Sequence, residues 1–489
     1  MSSITTESEP KLQGKITEEN LLLGSKSQPI LLTRVEVNGG GPFSYEFFDK
    51  LLSPLLGKGD YTLAQITDKI HQSYQHLADT GVFKKIGARI EPDFYSNVPA
   101  VKSYNSEKSI PAKVVFDVAN VSLNNNEGFL NFNNEEFLNL QLNHIDRNFS
   151  ENAETVSVGV DYNPYKPYDH LLTNFKFSSS LKDPSFRFLI DGGYNTRNNY
   201  AWQDFKENQL GGKIGLLYKK QKNFDIFTGF SLYKRRLFDI EEGANADLKY
   251  FNGEFLKSSV LNKAHFQHLT YLSDKHKSFP TNGINVQIES ELSSVQKQVD
   301  ASNRGEFVKL QIKFDLYKSV FNNYFTTKLS GEIGGIYSFN SKFPVHPLDK
   351  FYLGGYSSFL GFSKNGVEPS GGLQLYKVQA TLFSKIPHLL YAPTLNRYNV
   401  ALSEDEHPLR LYGTVIAGNC VPTSSKTIFN DENGALSYGF GLRYFNHWAN
   451  FDLGYFVSKR FGSLESRSDV GIKDGIQFSI SIGAPSSNL

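Results

Sequence analysis

Most of the chain, from about residue 135 to the end, alternates between apolar and polar residues. About fifteen or sixteen segments of about 8–13 residues show this period of two, separated by turns rich in Asn, Asp, Gly, Ser and Pro. In the segment 308–316 the even positions are all apolar, and the odd positions are Lys, Gln, Lys and Asp. Such alternation is typical of strands with one apolar and one polar face. The pattern therefore predicts an antiparallel all-β region, with its weakest strand at 246–251 and no helix between strands.

Residues 29–121 have a different pattern, which predicts a small α/β domain. Segments 31–39, 84–92 and 112–120 have strand character, and 44–52 resembles a short helix. Within 61–83, apolar residues recur every three or four positions, which predicts a second helix. Its boundary signals are a capping box at Thr62 and Gln65 and a stop at Gly81. We expect the order β-α-α-β-β, with both helices on one face of a three-stranded sheet.

Residues 1–28 precede this domain and are predominantly polar. They contain no apolar core of a secretion signal, and the first twenty residues contain no Arg. We expect this segment to be a disordered tail.

Two architectures can use an alternating strand. A soluble sandwich turns the apolar face toward a second sheet, whereas a transmembrane barrel turns it toward lipid and the polar face toward a wet lumen. The strands reach the ~9–11 residues that a tilted transmembrane strand needs, and their number is large for one sandwich. Aromatic residues also cluster near strand ends, where membrane girdles lie; they are Tyr337, Phe339, Phe351, Tyr352, Tyr444, Phe445 and Trp448. We therefore predict a mainly β protein with an antiparallel transmembrane β-barrel of about 16 strands at 122–489.

Composition excludes several classes of function. The chain has 51 Lys and Arg against 50 Asp and Glu, so its bulk charge gives no reason to expect nucleic acid. A single cysteine, Cys420, excludes an internal disulfide, and no Cys/His cluster indicates zinc. Glu289 and Glu291 share one strand face, where lumen-facing charge is a better interpretation than a glycosidase pair. We expect no catalytic residue, metal, cofactor or nucleotide.

A long loop separates two of the strands at 337–372. Its central stretch, LDKFYLGGYSSFLGFSKNG at 348–366, contains four glycines and five aromatic residues. Surface loops are normally short and polar because their backbone must meet water. We therefore expect this loop to fold back into the barrel, with Gly354, Gly355 and Gly361 permitting tight bends or close backbone approach.

Three stretches resemble motifs of known families. LADTGVFKKI at 77–86 resembles the end of the second helix of a POTRA domain. DKFYLGGYSSFLGF at 349–362 resembles the sixth-loop signature of the BamA-like outer-membrane β-barrel assembly family. KDGIQFSISIG at 473–483 fits the mitochondrial β-signal. Together they make the chain similar to the core barrel subunits of the mitochondrial sorting and assembly machinery (SAM complex).

The resemblance implies two sets of site residues. The loop motif falls on Gly354, Gly355, Phe359, Leu360, Gly361 and Phe362, and the β-signal, which is also the last strand, falls on Lys473, Gly475, Phe478 and Ile480.

The loop departs from the family at one position. The family motif has an Arg where this chain has Leu360, and that Arg reaches a polar residue on a late strand, two positions before a glycine. The matching stretch, GTVIAGN at 413–419, places Ile416 there, two positions before Gly418. Because both partners are apolar here, we expect Leu360 to pack near Ile416, so that the loop stays anchored in the barrel wall by Ile416 and Gly418.

The resemblance implies an insertase rather than an enzyme. Its clients are unfolded β-barrel precursors, whose β-signal pairs with the first barrel strand at a lateral seam. We expect that strand at about 137–144, with its pairing residues Leu138, Asn139, Leu140, Gln141, Leu142 and Asn143. The implied setting is the mitochondrial outer membrane and its lipid, with the POTRA-like domain in the intermembrane space and accessory, metaxin-like SAM subunits as partners.

Two other functions stay open at this point. A barrel of the same superfamily could instead translocate polypeptides through its lumen. A soluble all-β carbohydrate-active protein would share the alternation but would need no detergent.

Overall fold

The computed structural model describes residues 25–57, 59–94, 109–135, 137–219, 223–271, 279–298, 304–340, 343–386, 408–422, 434–446, 449–461 and 471–483. Most of the predicted tail, and Trp448 of the predicted girdle, lie outside these residues. The N-terminal elements are β1 (Pro29–Asn38), α1 (Tyr45–Leu56), β2 (Asp60–Thr62), α2 (Leu63–Thr80), β3 (Phe83–Pro92) and β4 (Ile110–Asn120).

The N-terminal sheet has the order β2-β1-β4-β3, and β1 runs parallel to β4. The prediction of three strands was wrong, because the three-residue β2 adds a fourth and is too short to show a period. Helix α2 begins with the predicted capping box at Thr62 and Gln65, and it ends at Gly81 in a left-handed conformation. Alternate residues of β4, such as Val114 and Phe116, pack in one core with apolar residues of both helices, so the helices cover one face of the sheet.

The compact N-terminal unit extends beyond these elements. It also takes in the segments 146–155 and 179–186. Ala153 is buried in its core, and the Ser44 hydroxyl donates a 2.7 Å hydrogen bond to the Asn152 side-chain oxygen. The turn between two strands of the β region therefore contributes to this unit.

Sixteen antiparallel strands form a closed barrel, which confirms the predicted fold class. They are β5 (Asn124–Asn133), β6 (Phe137–Asp146), β7 (Thr155–Tyr162), β8 (His170–Ser180), β9 (Phe186–Asn198), β10 (Lys206–Lys219), β11 (Phe224–Phe238), β12 (Gly253–Tyr271), β13 (Pro280–Lys297), β14 (Arg304–Val320), β15 (Phe325–Ser338), β16 (Gln374–Lys385), β17 (Leu409–Val421), β18 (Ala435–Phe445), β19 (Ala449–Arg460) and β20 (Gly475–Gly483). The segment 246–251, predicted as a weak strand, instead contains the short helix α3 (Ala246–Tyr250), which Asn245 caps.

The barrel strands turn apolar side chains outward and polar ones inward. Phe230, Phe440 and Ile476 are 66%, 69% and 65% exposed on the outer surface. Ser293 and Thr414 are buried on the inner face. This is the arrangement of a barrel that faces lipid. No helix within the described ranges combines the length and the apolar character needed to span a membrane.

Two of the predicted girdle residues have a different environment. Tyr337 and Phe339 are exposed at the end of β15, as a girdle requires. Phe351 is buried and Tyr352 is partly buried, because both belong to the long loop after β15 and pack inside the barrel.

Candidate functional site

The long loop between β15 and β16 lies inside the barrel. The described part of its base is closed by paired hydrogen bonds between the backbones of Phe351 and Gly372, at 2.9 and 2.8 Å. Many of its side chains, including Leu353, Phe359 and Phe362, are buried in an apolar cluster that also contains inward-facing wall residues. The glycine-rich tip is compact, because the Gly355 amide donates to the Phe362 carbonyl at 3.0 Å. Positive φ angles of 128°, 93° and 88° at Gly354, Gly355 and Gly361 permit this tight path.

A cluster of buried charges holds the base of the loop. The Asp349 carboxylate accepts hydrogen bonds from the Arg235 guanidinium at 2.8 Å and the Lys257 ammonium at 2.6 Å. The Lys257 ammonium also lies 2.6 Å from the Glu291 carboxylate, and Lys309 donates to the Asp349 carbonyl at 2.8 Å. Because β11, β12 and β14 supply the three cations, the loop is tied to one side of the barrel wall.

These charges explain the state of the Asp349 carboxyl. Burial alone would raise its pKa, but Arg235 and Lys257 hold the pKa below its usual range. An ionised carboxylate shared by two cations forms strong, charge-assisted hydrogen bonds. Removing it would leave two buried cations without their shared counterion, which is costly.

His346 begins the 3₁₀ turn that carries Asp349. Its Nδ1 accepts a 3.2 Å hydrogen bond from the Leu348 amide, and its ring packs against Phe251 and Phe255. The side chain is almost fully buried, and burial lowers the pKa of His346 to about 3. The imidazole is therefore neutral at physiological pH.

The tip of the loop contacts the late strands. The Gly361 amide donates a 3.1 Å hydrogen bond to the buried Gln477 side chain of β20, and the Gly361 carbonyl accepts from the Lys473 amide at 2.9 Å. A Cβ at Gly361 would collide with the hydroxyls of Ser437 and Ser458, so the close approach requires glycine. The tip is thus held by β18, β19 and β20, away from the charge cluster at the base.

The structure shows one of the two wall residues predicted to anchor the loop tip, Gly418, in contact with the loop. The Phe359 ring lies against Gly418, with its nearest atom 3.2 Å from the position that a Cβ would take there. Leu360 and Ile416 are both buried and belong to the same apolar cluster. Direct packing between these two side chains stays a prediction.

The barrel closes where β20 meets β5. The two strands pair at only five positions, from Ser479 with Asn133 to Gly483 with Phe129. The other barrel ladders with described registers have between eight and seventeen pairs. This short ladder, named the seam here, has the fewest backbone pairs of those described.

Two side-chain contacts extend the seam beyond its backbone pairs. The Phe132 and Phe478 rings lie 5.4 Å apart across it. The Asn134 amide nitrogen donates to the Ile476 carbonyl at 2.9 Å, and its oxygen accepts from the Phe478 amide at 2.5 Å.

The predicted first strand was placed one strand too late. The barrel begins with β5, so Leu138, Asn139, Leu140, Gln141, Leu142 and Asn143 lie on the second strand, β6. The reason is composition: half of the ten residues of β5 are asparagine, which is uncommon in strands, and the strand presents few apolar residues outward. Among the predicted β-signal residues, Gly475, Phe478 and Ile480 lie on β20, and Lys473 lies just before it.

Several residues of this region were not predicted. Asp349 lies within the predicted loop, and a carboxylate in an aromatic segment expected to be buried could have indicated a buried ion pair. Arg235 and Lys257 lie 114 and 92 positions away in the sequence, so only the fold reveals their role. No group of three or more His, Cys, Asp or Glu side chains in the described part of the chain could hold a metal ion.

Comparison with known proteins identifies a family and several structures that this chain resembles. The family model described as the Omp85 superfamily domain matches residues 130–483. A SAM50-like protein of Schizosaccharomyces pombe is 25% identical over 356 residues, which cover 70% of this chain and 69% of that protein.

Solved structures share the fold at low sequence identity. BamA from Haemophilus ducreyi lacking POTRA domains 1–3 has a TM-score of 0.68 and 14% identity, covering 93% of this chain and 84% of that one. CdiB from Acinetobacter baumannii has a TM-score of 0.52 and 13% identity, covering 93% and 74%. At these identities the similarity concerns the fold alone.

Proposed function

The chain belongs to the Omp85 superfamily, and from this premise we propose that it folds and inserts β-barrel precursors into the mitochondrial outer membrane. The client's terminal β-signal would pair with the first barrel strand, β5, after the seam with β20 opens. The observation that carries this proposal is the seam itself, whose five backbone pairs are fewer than in the other described ladders.

The physical need for such a seam follows from the membrane. Each unpaired backbone N–H or C=O in hydrocarbon costs several kcal/mol, so an incomplete sheet resists insertion. An open seam exposes a strand edge to the client. Each client residue that is added to this edge then pairs its backbone N–H and C=O groups. Energy then comes from completing the client's own sheet and burying its apolar face, so we expect no covalent chemistry and no nucleotide.

The setting follows from similarity. The likeness to a SAM50-like protein supports a place in the mitochondrial outer membrane and accessory SAM subunits, metaxin-like, as partners. The POTRA-like unit, residues 29–121, would then face the intermembrane space and contact precursors.

The interior of the barrel favours insertion at the seam over passage through the lumen. The loop and the inner wall form a continuous buried apolar cluster, with rings such as Phe307, Phe359 and Phe456 in its centre. A polypeptide crossing the lumen would have to displace this cluster together with the buried charges at Asp349.

Crosslinking of an arrested client tests the proposal. In a Cys420→Ala background, a single cysteine replaces Asn131 on β5, and the precursor carries a cysteine at successive positions of its last strand. We expect a disulfide whose yield depends on register, because paired strands bring only directly opposed residues within disulfide reach.

Two control positions separate the alternatives. Asn139→Cys, on the inner face of β6, should crosslink weakly, since β6 keeps its own neighbours when the seam opens. Lys313→Cys, on the inner face of β14, reports passage through the lumen. Crosslinks restricted to Lys313→Cys would show that the protein is a conduit and would reject the proposal.

A further inference from the structure

The turn between β5 and β6 contacts both the seam strand and the internal loop. Asn134 and Glu135 are adjacent residues of this turn. Asn134 binds the backbone of β20 with its side-chain amide. Glu135 accepts a 3.1 Å hydrogen bond from the Tyr356 amide of the loop.

Asn134 continues the seam ladder by means of a side chain. Its neighbour Asn133 is the last residue of β5 whose backbone pairs with β20, opposite Ser479. Beyond this point the Asn134 amide takes the place of a peptide group, because it offers a carbonyl acceptor and N–H donors in one plane. It engages the Phe478 N–H and the Ile476 carbonyl together, at 2.5 and 2.9 Å.

The loop holds the opposite side of the same segment. Gln477 lies between the two residues whose backbone groups bind Asn134. Its buried side-chain oxygen accepts a 3.1 Å hydrogen bond from the Gly361 amide of the loop tip. Tyr356, whose amide binds Glu135, belongs to the same compact tip. Residues 476–478 are therefore hydrogen-bonded to Asn134 at the strand edge and to the loop on the inner face of the strand.

We propose that Asn134 is a positioning residue that extends the ladder between β5 and the strand paired with it, and that Glu135 couples this contact of Asn134, named the latch, to the loop. The inference rests on the proposed function only where the strand is a client's. In the resting barrel the bound strand is β20. During insertion the same amide would receive the client's last strand at the position equivalent to Phe478.

The latch recognises backbone rather than side chains. Every residue except proline offers an N–H, and every residue offers a carbonyl, so Asn134 can bind any client strand in extended conformation. It therefore adds two hydrogen bonds to the ladder without restricting client sequence. A proline at the client position equivalent to Phe478 would remove the donor that Asn134 accepts.

Hydrogen exchange of the purified full-length protein tests the resting latch without a client. Asn134→Ala removes two hydrogen bonds from a short ladder, so we expect amides in 475–483 to exchange about tenfold faster. The matched control is Asn131→Ala, on the same strand, whose backbone pairs with Ser481. Equal exchange in the two variants would overturn the proposal.

Two further variants keep the test decisive. Asn134→Asp retains an acceptor for the Phe478 amide and loses the donor, so it should give an exchange rate between those of wild type and Asn134→Ala. It replaces the alanine variant in the test if that variant does not assemble. Glu135→Ala should accelerate exchange both in the loop tip, 354–362, and in 475–483. Acceleration in the loop tip alone would refute the coupling.

The client role is tested by the yield of crosslinking to Asn131→Cys. With Asn134 intact we expect a proline at the client position equivalent to Phe478 to lower the disulfide yield, because it removes the N–H that Asn134 accepts. In Asn134→Ala the same proline should lower the yield less, and an equal loss in both backgrounds would refute the client role of Asn134. Faster exchange of β20 without any crosslink to β5 would preserve the resting latch and reject insertion at the seam.

Discussion

At the scale of single residues, His346 is a buried neutral imidazole among charges. Arg235, Lys257, Lys350 and Asp349 all act on it, but burial is the largest influence on its pKa. The folded pKa, about 3, lies below the ordinary value of 6.5. As pH falls through this window the unfolded chain binds a proton that the folded chain does not. The stability that this residue contributes is therefore fully present above pH 6.5, and it is lost as the pH falls toward the folded pKa of about 3.

The His346→Asn variant should lose this part of the acid sensitivity while keeping an acceptor for the Leu348 amide. We expect the wild-type free energy of unfolding to fall by on the order of 1.4 kcal/mol per pH unit more steeply than that of the variant between pH 6 and 4. Denaturant unfolding in detergent micelles measures the slope. His71→Gln, on the surface of α2, is the control, and equal slopes for wild type and His346→Asn would contradict the prediction.

At the scale of elements, the strongly alternating strands and helix α2 were predictable, because long periodic segments carry a clear signal. The three-residue β2 and the five-residue α3 are too short to show a period. Strand β5 was missed because its asparagines weaken the alternation of apolar and polar residues. Sequence reasoning found the loop, but not the charges that hold its base, since hydrogen bonds between distant strands leave no local pattern.

The tip of the loop gives the prediction at this scale. If Leu360 packs near Ile416 of β17, Leu360→Arg buries an uncompensated charge and should destabilise the barrel by about 3–5 kcal/mol. Adding Ile416→Asp should restore much of this loss by supplying a partner. Unfolding in detergent of the two single variants and the double variant forms a double-mutant cycle. Additive effects would show that the two side chains do not meet.

At the scale of the whole barrel, the charge cluster at Asp349 keeps the lumen occupied. Asp349→Asn removes the charge shared by Arg235 and Lys257, so we expect the loop base to loosen and the single-channel conductance in planar bilayers to rise several-fold. Glu289→Gln is the matched control, because its ion pair with Lys263 is partly exposed, at 42% and 39% of the side chains, and such pairs contribute little. A conductance that does not change in Asp349→Asn would mean that other contacts keep the loop in place.

If clients insert at the seam as proposed, the barrel's own last strand competes with them for β5. Because β19 tethers β20, that strand is present at a high effective concentration beside β5. An incoming strand would then have to displace five backbone pairs and the Asn134 contacts before it could bind β5. On this proposal the strength of the seam sets a threshold of selectivity. A longer ladder would exclude weakly pairing clients and slow the insertion of the others, and a shorter one would admit strands that do not belong in the membrane.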